Sequence, residues 1–105
     1  MACIHQYIML NKKRYEKEIY QGATNLSGGQ IQRIGIARAL YKKSQIIIFD
    51  ESTNSIEEKT EIKILKSIFK FNRDKTIIFI SHKNHIKKFF DKVYILKNKS
   101  LFLAK

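Results

Sequence analysis

Two adjacent carboxylates, Asp50 and Glu51, stand directly after the apolar run 46–49. The run has the length of a buried strand, and ligands of open α/β sheets bind at the carboxyl ends of the strands. An aspartate at position 50 can hold Mg²⁺ directly or through water. A glutamate at position 51 can act as the general base for an attacking water, which typically contributes about 10²- to 10⁴-fold in rate.

A second candidate site lies upstream, in the run Ser27-Gly28-Gly29-Gln30. Ser27 and Gln30 have the spacing of a capping box, so a helix is predicted to begin at Ser27. Gly28 and Gly29 let backbone N–H groups approach an anion closely, and the helix N-terminus adds about half a positive charge. The run therefore indicates an anion-binding helix start, although a capped helix without a ligand has the same pattern.

A third polar pair, Ser81 and His82, follows the apolar run Thr76–Ile80. This again puts a polar residue at the carboxyl end of a predicted strand, where ligands bind. A lone histidine after a strand is more often structural or exposed, so His82 is a weak signal by itself. His5 and His85 show no metal-ligand spacing, and both are expected at the surface.

Helical and strand patterns alternate along the chain, with turn residues between them. This alternation predicts an α/β fold with a mainly parallel sheet and flanking helices. Strands that are apolar at nearly every position are typical of a sheet that is covered on both faces. The predicted elements are a helix from Ser27, a strand at 45–49, a helix at 56–71, a strand at 76–80 and a short helix near 84–90. Strands at 93–97 and 101–103 follow, and they are expected to close a hairpin around the turn at 98–99.

The length and composition fit one small globular domain, because the chain has 105 residues of which 44% are hydrophobic. No apolar run approaches the roughly 20 residues that a membrane-spanning helix needs. The first residues do not have the pattern of a secretory signal. The single cysteine, Cys3, excludes an internal disulfide and fits a reducing compartment.

The formal net charge of +12 raises the alternative of a module that binds nucleic acid or anionic lipid. The basic residues are spread along the whole chain, and lysine outnumbers arginine. Proteins that read phosphates and bases usually enrich arginine instead. A solvated basic surface is therefore the favoured interpretation, and no specific nucleic-acid partner is expected.

The motifs together resemble those of ABC-type ATPases. The run from Leu26 through Gln30, continued to Leu40, resembles the signature sequence of that family, and 46–51 resembles its Walker B strand. Residues 54–57 resemble the D-loop, with Glu57 where the family usually has aspartate. Ser81-His82 resembles the switch histidine. The resemblance covers about residues 22–103, and the general run of the sequence is more similar to the exporter branch of the family.

This resemblance implies ATP and Mg²⁺ as cofactors and assigns roles to the residues. Asp50 would hold Mg²⁺, Glu51 would be the general base, and His82 would contact the γ-phosphate and help to position the water. In the family two ATPase domains pair head to tail, and each signature closes over the ATP of the other domain. The signature residues here are Ser27, Gly28, Gly29 and Gln30. The implied partners are therefore a second ATPase domain and the transmembrane domains of an exporter, at the cytoplasmic face of the inner membrane.

One family motif is missing from the 105 residues, the phosphate loop G-x-x-x-x-G-K-[ST]. We therefore expect a partial P-loop NTPase fold, without the strand that carries this loop. The expected organisation is the C-terminal portion of one ABC ATPase domain. Residues 1–25 would be a remnant of the helical subdomain and a loop, 26–44 the signature helix, and 45–105 the part from the Walker B strand to the last strands.

The expected function is that of a truncated ATP-binding and ATP-hydrolysing part of an ABC exporter, which couples ATP hydrolysis to transmembrane transport. Without a phosphate loop, the chain is not expected to bind or hydrolyse ATP alone. Two alternatives stay open. One is a half-domain that complements a partner carrying the phosphate loop, and the other is a basic module for nucleic acid or anionic lipid.

Overall fold

The computed structural model describes residues 3–5, 9 and 26–105. The segment 1–25, expected to be a remnant of a helical subdomain and a loop, lies largely outside these residues. No helix in the described part is long and apolar enough to cross a membrane. The elements are helix α1 (Gly28–Tyr41), strand β1 (Ile46–Asp50), helix α2 (Glu58–Phe71), strand β2 (Thr76–Ile80), a 3₁₀ helix (Lys87–Phe89), strand β3 (Tyr94–Lys97) and strand β4 (Ser100–Leu103).

The α/β prediction is confirmed, since β1 and β2 pair in parallel with α2 as the crossover between them. Ile46 lies opposite Thr76, and Asp50 lies opposite Ile80. β3 and β4 form the predicted antiparallel hairpin. Its two turn residues, Asn98 and Lys99, both have positive φ, of 49° and 61°. Such a pair is typical of the two-residue type I′ turn, whose twist matches that of the strands.

Helix α1 begins as the sequence predicts, with Ser27 as the N-cap. The Gln30 amide N–H donates to Ser27 Oγ at 3.2 Å, and the Ser27 amide N–H donates to Gln30 Oε1 at 2.9 Å. The two side chains thus satisfy each other's backbone donors, which fixes where the helix starts.

Helix α2 begins two residues later than predicted, at Glu58 instead of Ile56. The Ile56 side chain is buried, and its amide N–H donates to the Thr53 carbonyl oxygen at 3.1 Å. Ile56 therefore ends a tight turn after β1 and anchors that turn in the core. Glu57 then occupies the N-cap, without a hydrogen bond from its side chain.

The core lies on one face of the parallel strands. Ile47 and Phe49 of β1 point into it, and α2 contributes Ile64, Leu65 and Ile68, all buried. The opposite face of the strands is open, with Ile46 and Ile48 59% and 60% exposed. The expectation of strands buried on both faces is thus wrong for the described part of the chain. Side chains alternate along a strand, and α2 covers only one side.

Aromatic rings tie the segment after β2 to the core. Phe79 of β2 packs against Phe49, with ring centroids 5.6 Å apart. Phe90, which follows the 3₁₀ helix, packs against Phe79 at 5.5 Å and edge-to-face against Phe69 at 5.2 Å. These contacts fix the far end of the loop that follows β2. The near end of that loop carries His82.

Candidate functional site

The carboxyl ends of β1 and β2 form one edge of the sheet. Because the strands are parallel and in register, Glu51 and Ser81 leave the sheet side by side. The Glu51 amide N–H still donates to the Ile80 carbonyl oxygen at 3.0 Å, so the strand pairing extends one residue beyond Asp50. This edge therefore brings together the residues that the sequence singled out after each strand.

Glu51 and His82 are in direct contact at this edge. His82 Nε2 lies 3.1 Å from Glu51 Oε1, and Asn54 Nδ2 donates to Glu51 Oε2 at 2.9 Å. Glu51 has a positive φ of 48°, a conformation that costs a non-glycine residue on the order of 1–3 kcal/mol and is common at functional sites. The His82 side chain is 89% exposed and the Glu51 side chain 46%, so the pair is open to a ligand from solvent.

Asp50 is the last residue of β1 and is exposed beside this pair. Carboxylate oxygens are ligands that Mg²⁺ prefers. In the described part of the chain, no three His, Cys, Asp or Glu side chains are grouped so that they could hold a metal ion. Asp50 therefore offers one exposed carboxylate at this edge of the sheet.

The start of α1 lies against the loop that follows β1. The Ser55 amide N–H donates to Gln32 Oε1 at 2.8 Å, and Gln32 Nε2 donates to the Glu51 carbonyl oxygen at 3.4 Å. Gln32 therefore links the glycine-rich helix start to the carboxylate loop. Sequence reasoning missed this residue, and the only signal was a polar side chain one turn into the helix.

The close approach of these two segments requires glycine at position 29. A Cβ added there would lie 2.7 Å from the Ser55 carbonyl oxygen, a backbone atom. At Gly28 an added Cβ would lie 3.1 Å from Ser55 Oγ, a side-chain atom that can move more easily. A Cβ at Gly35, in the interior of the same helix, would meet nothing within 4 Å.

We predict opposite effects for two Gly→Ala substitutions in α1. Gly29→Ala forces the loop at Ser55 to move and should lower the free energy of unfolding by about 1–3 kcal/mol. Gly35→Ala, the matched control, should raise it by about 0.5–1 kcal/mol, because alanine favours the helix. Urea unfolding of the two variants and the parent chain measures both. A Gly29→Ala chain as stable as Gly35→Ala would contradict the close packing of α1 against Ser55.

His85 is not the surface residue that the sequence predicts. Its Nε2 lies 2.6 Å from Oε2 of Glu61, a fully buried carboxylate in the first turn of α2. Lys83 Nζ donates to the other oxygen of the same carboxylate at 3.2 Å. Sequence reasoning gave no role to Glu61 or Lys83. A buried glutamate needs charged or hydrogen-bonding partners, and its sequence position alone does not show where they lie.

Comparisons with known proteins agree with one another. The family model described as ABC transporter matches residues 4–54. The chain is 43% identical over 95 residues to the Lactococcin-G-processing and transport ATP-binding protein LagD of Lactococcus lactis subsp. lactis, covering 90% of this chain and 13% of that protein. It is 46% identical over 82 residues to the Pediocin PA-1 transport/processing ATP-binding protein PedD of Pediococcus acidilactici, covering 78% of this chain and 11% of that protein.

A solved structure shares the fold over nearly the whole chain. It is that of a bacterial Atm1-family ABC exporter with ATP bound, and the TM-score is 0.86 at 32% sequence identity. The match covers 99% of this chain and 18% of the exporter chain. The chain thus spans between about a tenth and a fifth of the length of these relatives, 11–13% for the two transport proteins and 18% for the exporter.

Proposed function

Because this chain belongs to the ABC transporter family and matches the ATP-binding part of exporters, we propose that it forms the catalytic edge and the signature helix of an exporter's ATPase site. In a complete domain this site would hydrolyse ATP and couple the reaction to transport across a membrane. The observation that carries the proposal is the contact of Glu51 with His82, 3.1 Å apart at the carboxyl ends of two parallel strands.

The residues at the sheet edge have complementary chemical properties. Glu51 offers a carboxylate that can accept a proton from water, and Asn54 and His82 hold its two oxygens in place. Asp50, one residue earlier, would hold Mg²⁺. His82 is exposed on the same side, so its ring can reach a phosphate oxygen while it contacts Glu51. Bound Mg-ATP would supply the phosphoryl group, with the metal neutralising the charge of its oxygens.

The signature residues would act on a second ATP. The backbone N–H groups at Gly28 and Gly29 stand at the helix N-terminus, which favours an anion. Ser27 and Gln30 cap this helix and hold its first turn in shape. Gln32 connects that turn to Ser55 and Glu51, so the signature and the D-loop form one surface. We propose that this surface faces a second ATPase domain in a head-to-tail dimer.

The similarity to exporter proteins suggests a further kind of partner. We propose that the assembled domain works with the transmembrane domains of an exporter, at the cytoplasmic face of the membrane. Two of the relatives are named for the processing and transport of lactococcin G and of pediocin PA-1.

We predict that a polypeptide of these 105 residues does not bind Mg-ATP with a micromolar dissociation constant. The sequence has no phosphate loop to cradle the phosphates, and Asp50 and His82 alone reach only the γ-phosphate end. Equilibrium dialysis of the pure chain measures the affinity. The positive control is a chimera, made of residues 22–105 behind the phosphate-loop half of the Atm1-family exporter domain. Micromolar binding by the chain alone would refute the prediction.

A second candidate function is complementation between separate chains. The open face of the parallel strands carries Ile46, Ile48, Ile78 and Ile80, which are 45–60% exposed. Within the described residues β2 pairs only with β1, so its other edge has free backbone groups. An exposed apolar face beside a free edge fits an added strand and its helix. Co-expression with a separate phosphate-loop half tests this, because ATP hydrolysis by the mixture would support it and inactive, unassociated chains would exclude it.

A further inference from the structure

A buried carboxylate connects the two loops that carry Glu51 and His82. Glu61 lies in the first turn of α2 and is 0% exposed. Its Oε1 accepts from Lys83 Nζ at 3.2 Å, and its Oε2 lies 2.6 Å from His85 Nε2. Lys83 and His85 both follow His82 closely in the loop after β2. One side chain from α2 therefore holds that loop at two points.

Lys83 extends the connection to the loop after β1. Its ammonium group also donates to the Thr53 carbonyl oxygen at 2.7 Å and to the Ile56 carbonyl oxygen at 3.4 Å. Thr53 and Ile56 are both buried, and they lie between Glu51 and the start of α2. The ammonium thus joins both loops and Glu61.

Because the side chain of His82 is exposed, the position of its ring depends on the loop that carries it. With 89% of its side chain exposed, little packing holds the ring of His82 against Glu51. The position of the ring must then come from its backbone, which follows the paired strand β2 and is held on its C-terminal side by Lys83 and His85. Replacing the carboxylate of Glu61 with a neutral group would remove the charge that pairs with Lys83 in a mostly buried site.

We propose that Glu61 is a positioning residue, which keeps His82 in contact with Glu51 through Lys83 and His85. This inference deepens the proposed function and rests on it for the role of His82 at the γ-phosphate. Glu61 itself is buried and does not touch the site. The contact it maintains is a property of the chain alone, so it can be measured without ATP and without turnover.

The test uses the whole chain with isotopically labelled histidine and follows the ring signals of His82 by NMR at one fixed pH. In the parent chain, Glu51→Gln should shift these signals because the ring loses its carboxylate neighbour. In a Glu61→Gln background the same substitution should produce less than half of that shift. Glu58→Gln, an exposed glutamate in the same helical turn, is the matched control and should leave the full response.

Two results would overturn the proposal. If Glu51→Gln shifts the His82 signals fully in the Glu61→Gln background, Glu61 does not position the ring. If Glu51→Gln causes no shift in the parent chain, the ring of His82 does not contact Glu51 in solution.

If circular dichroism shows that Glu61→Gln does not fold, His85→Asn takes its place, since it leaves the pair of Glu61 and Lys83 intact. A reduced response in His85→Asn then supports the proposal, and a full one rejects it. Loss of ATPase function in the chimera alone would not affect either result.

Discussion

Glu51→Gln in the chimera is expected to lower ATP hydrolysis by about 10²- to 10⁴-fold, the usual contribution of a general base. The amide keeps the size and shape of the carboxylate, and its single oxygen can still accept from Asn54. It cannot take a proton from water at neutral pH. Mg-ATP affinity should therefore stay within a few-fold of the parent, because binding does not need the base. Phosphate release and equilibrium dialysis on the same samples measure the two quantities.

The control for this substitution is Glu58→Gln, which removes an exposed carboxylate in the first turn of α2. It should leave both hydrolysis and binding unchanged. Unchanged phosphate release after Glu51→Gln would show that Glu51 is not the general base. A loss of binding that matches the loss of turnover would instead mean that the substitution damages the fold.

The second large effect is expected from where two lesions are placed in a dimer. Ser27→Arg blocks the helix N-terminus that would close over the partner's ATP, and Glu51→Gln disables the site on its own chain. With one lesion in each chain of a mixed dimer, both fall on the same composite site and the other site stays intact. With both lesions in one chain, each of the two sites carries one lesion.

The two mixed dimers contain the same substitutions, so they are matched controls for each other. The dimer with one lesion in each chain should keep partial ATPase activity, up to about half of the parent. The dimer with both lesions in one chain should fall close to the activity of a fully substituted dimer. Equal activity in the two arrangements would reject the assignment of Ser27 to the partner's nucleotide. Differently tagged chimeras, purified through both tags, allow the measurement.

Local sequence rules predicted the parts of this fold that local interactions determine. The capping box at Ser27 and Gln30, the parallel strands and the final hairpin are all present. The approach of His82 to Glu51 was implicit in the sequence as well. Polar residues that follow two neighbouring parallel strands lie at the same edge of the sheet.

The parts that were missed depend on contacts between distant residues. Glu61 pairs with residues 22 and 24 positions away, and Gln32 reaches Ser55 across 23 positions. No periodicity or motif reports such pairs. Helix α2 also begins at Glu58 because Ile56 is drawn into the core, a tertiary effect that its helix propensity does not show. The open face of β1 depends on what packs against it, which the apolar run 46–49 cannot reveal.

We propose that this chain supplies the base, the switch histidine and the signature of an ABC ATPase site. The most direct test is steady-state phosphate release by the chimera with Mg-ATP, compared with its own Glu51→Gln variant at equal concentration. We expect hydrolysis that is at least about 10²-fold faster in the parent chimera than in the variant. A folded chimera that binds Mg-ATP but releases phosphate no faster than Glu51→Gln would contradict it.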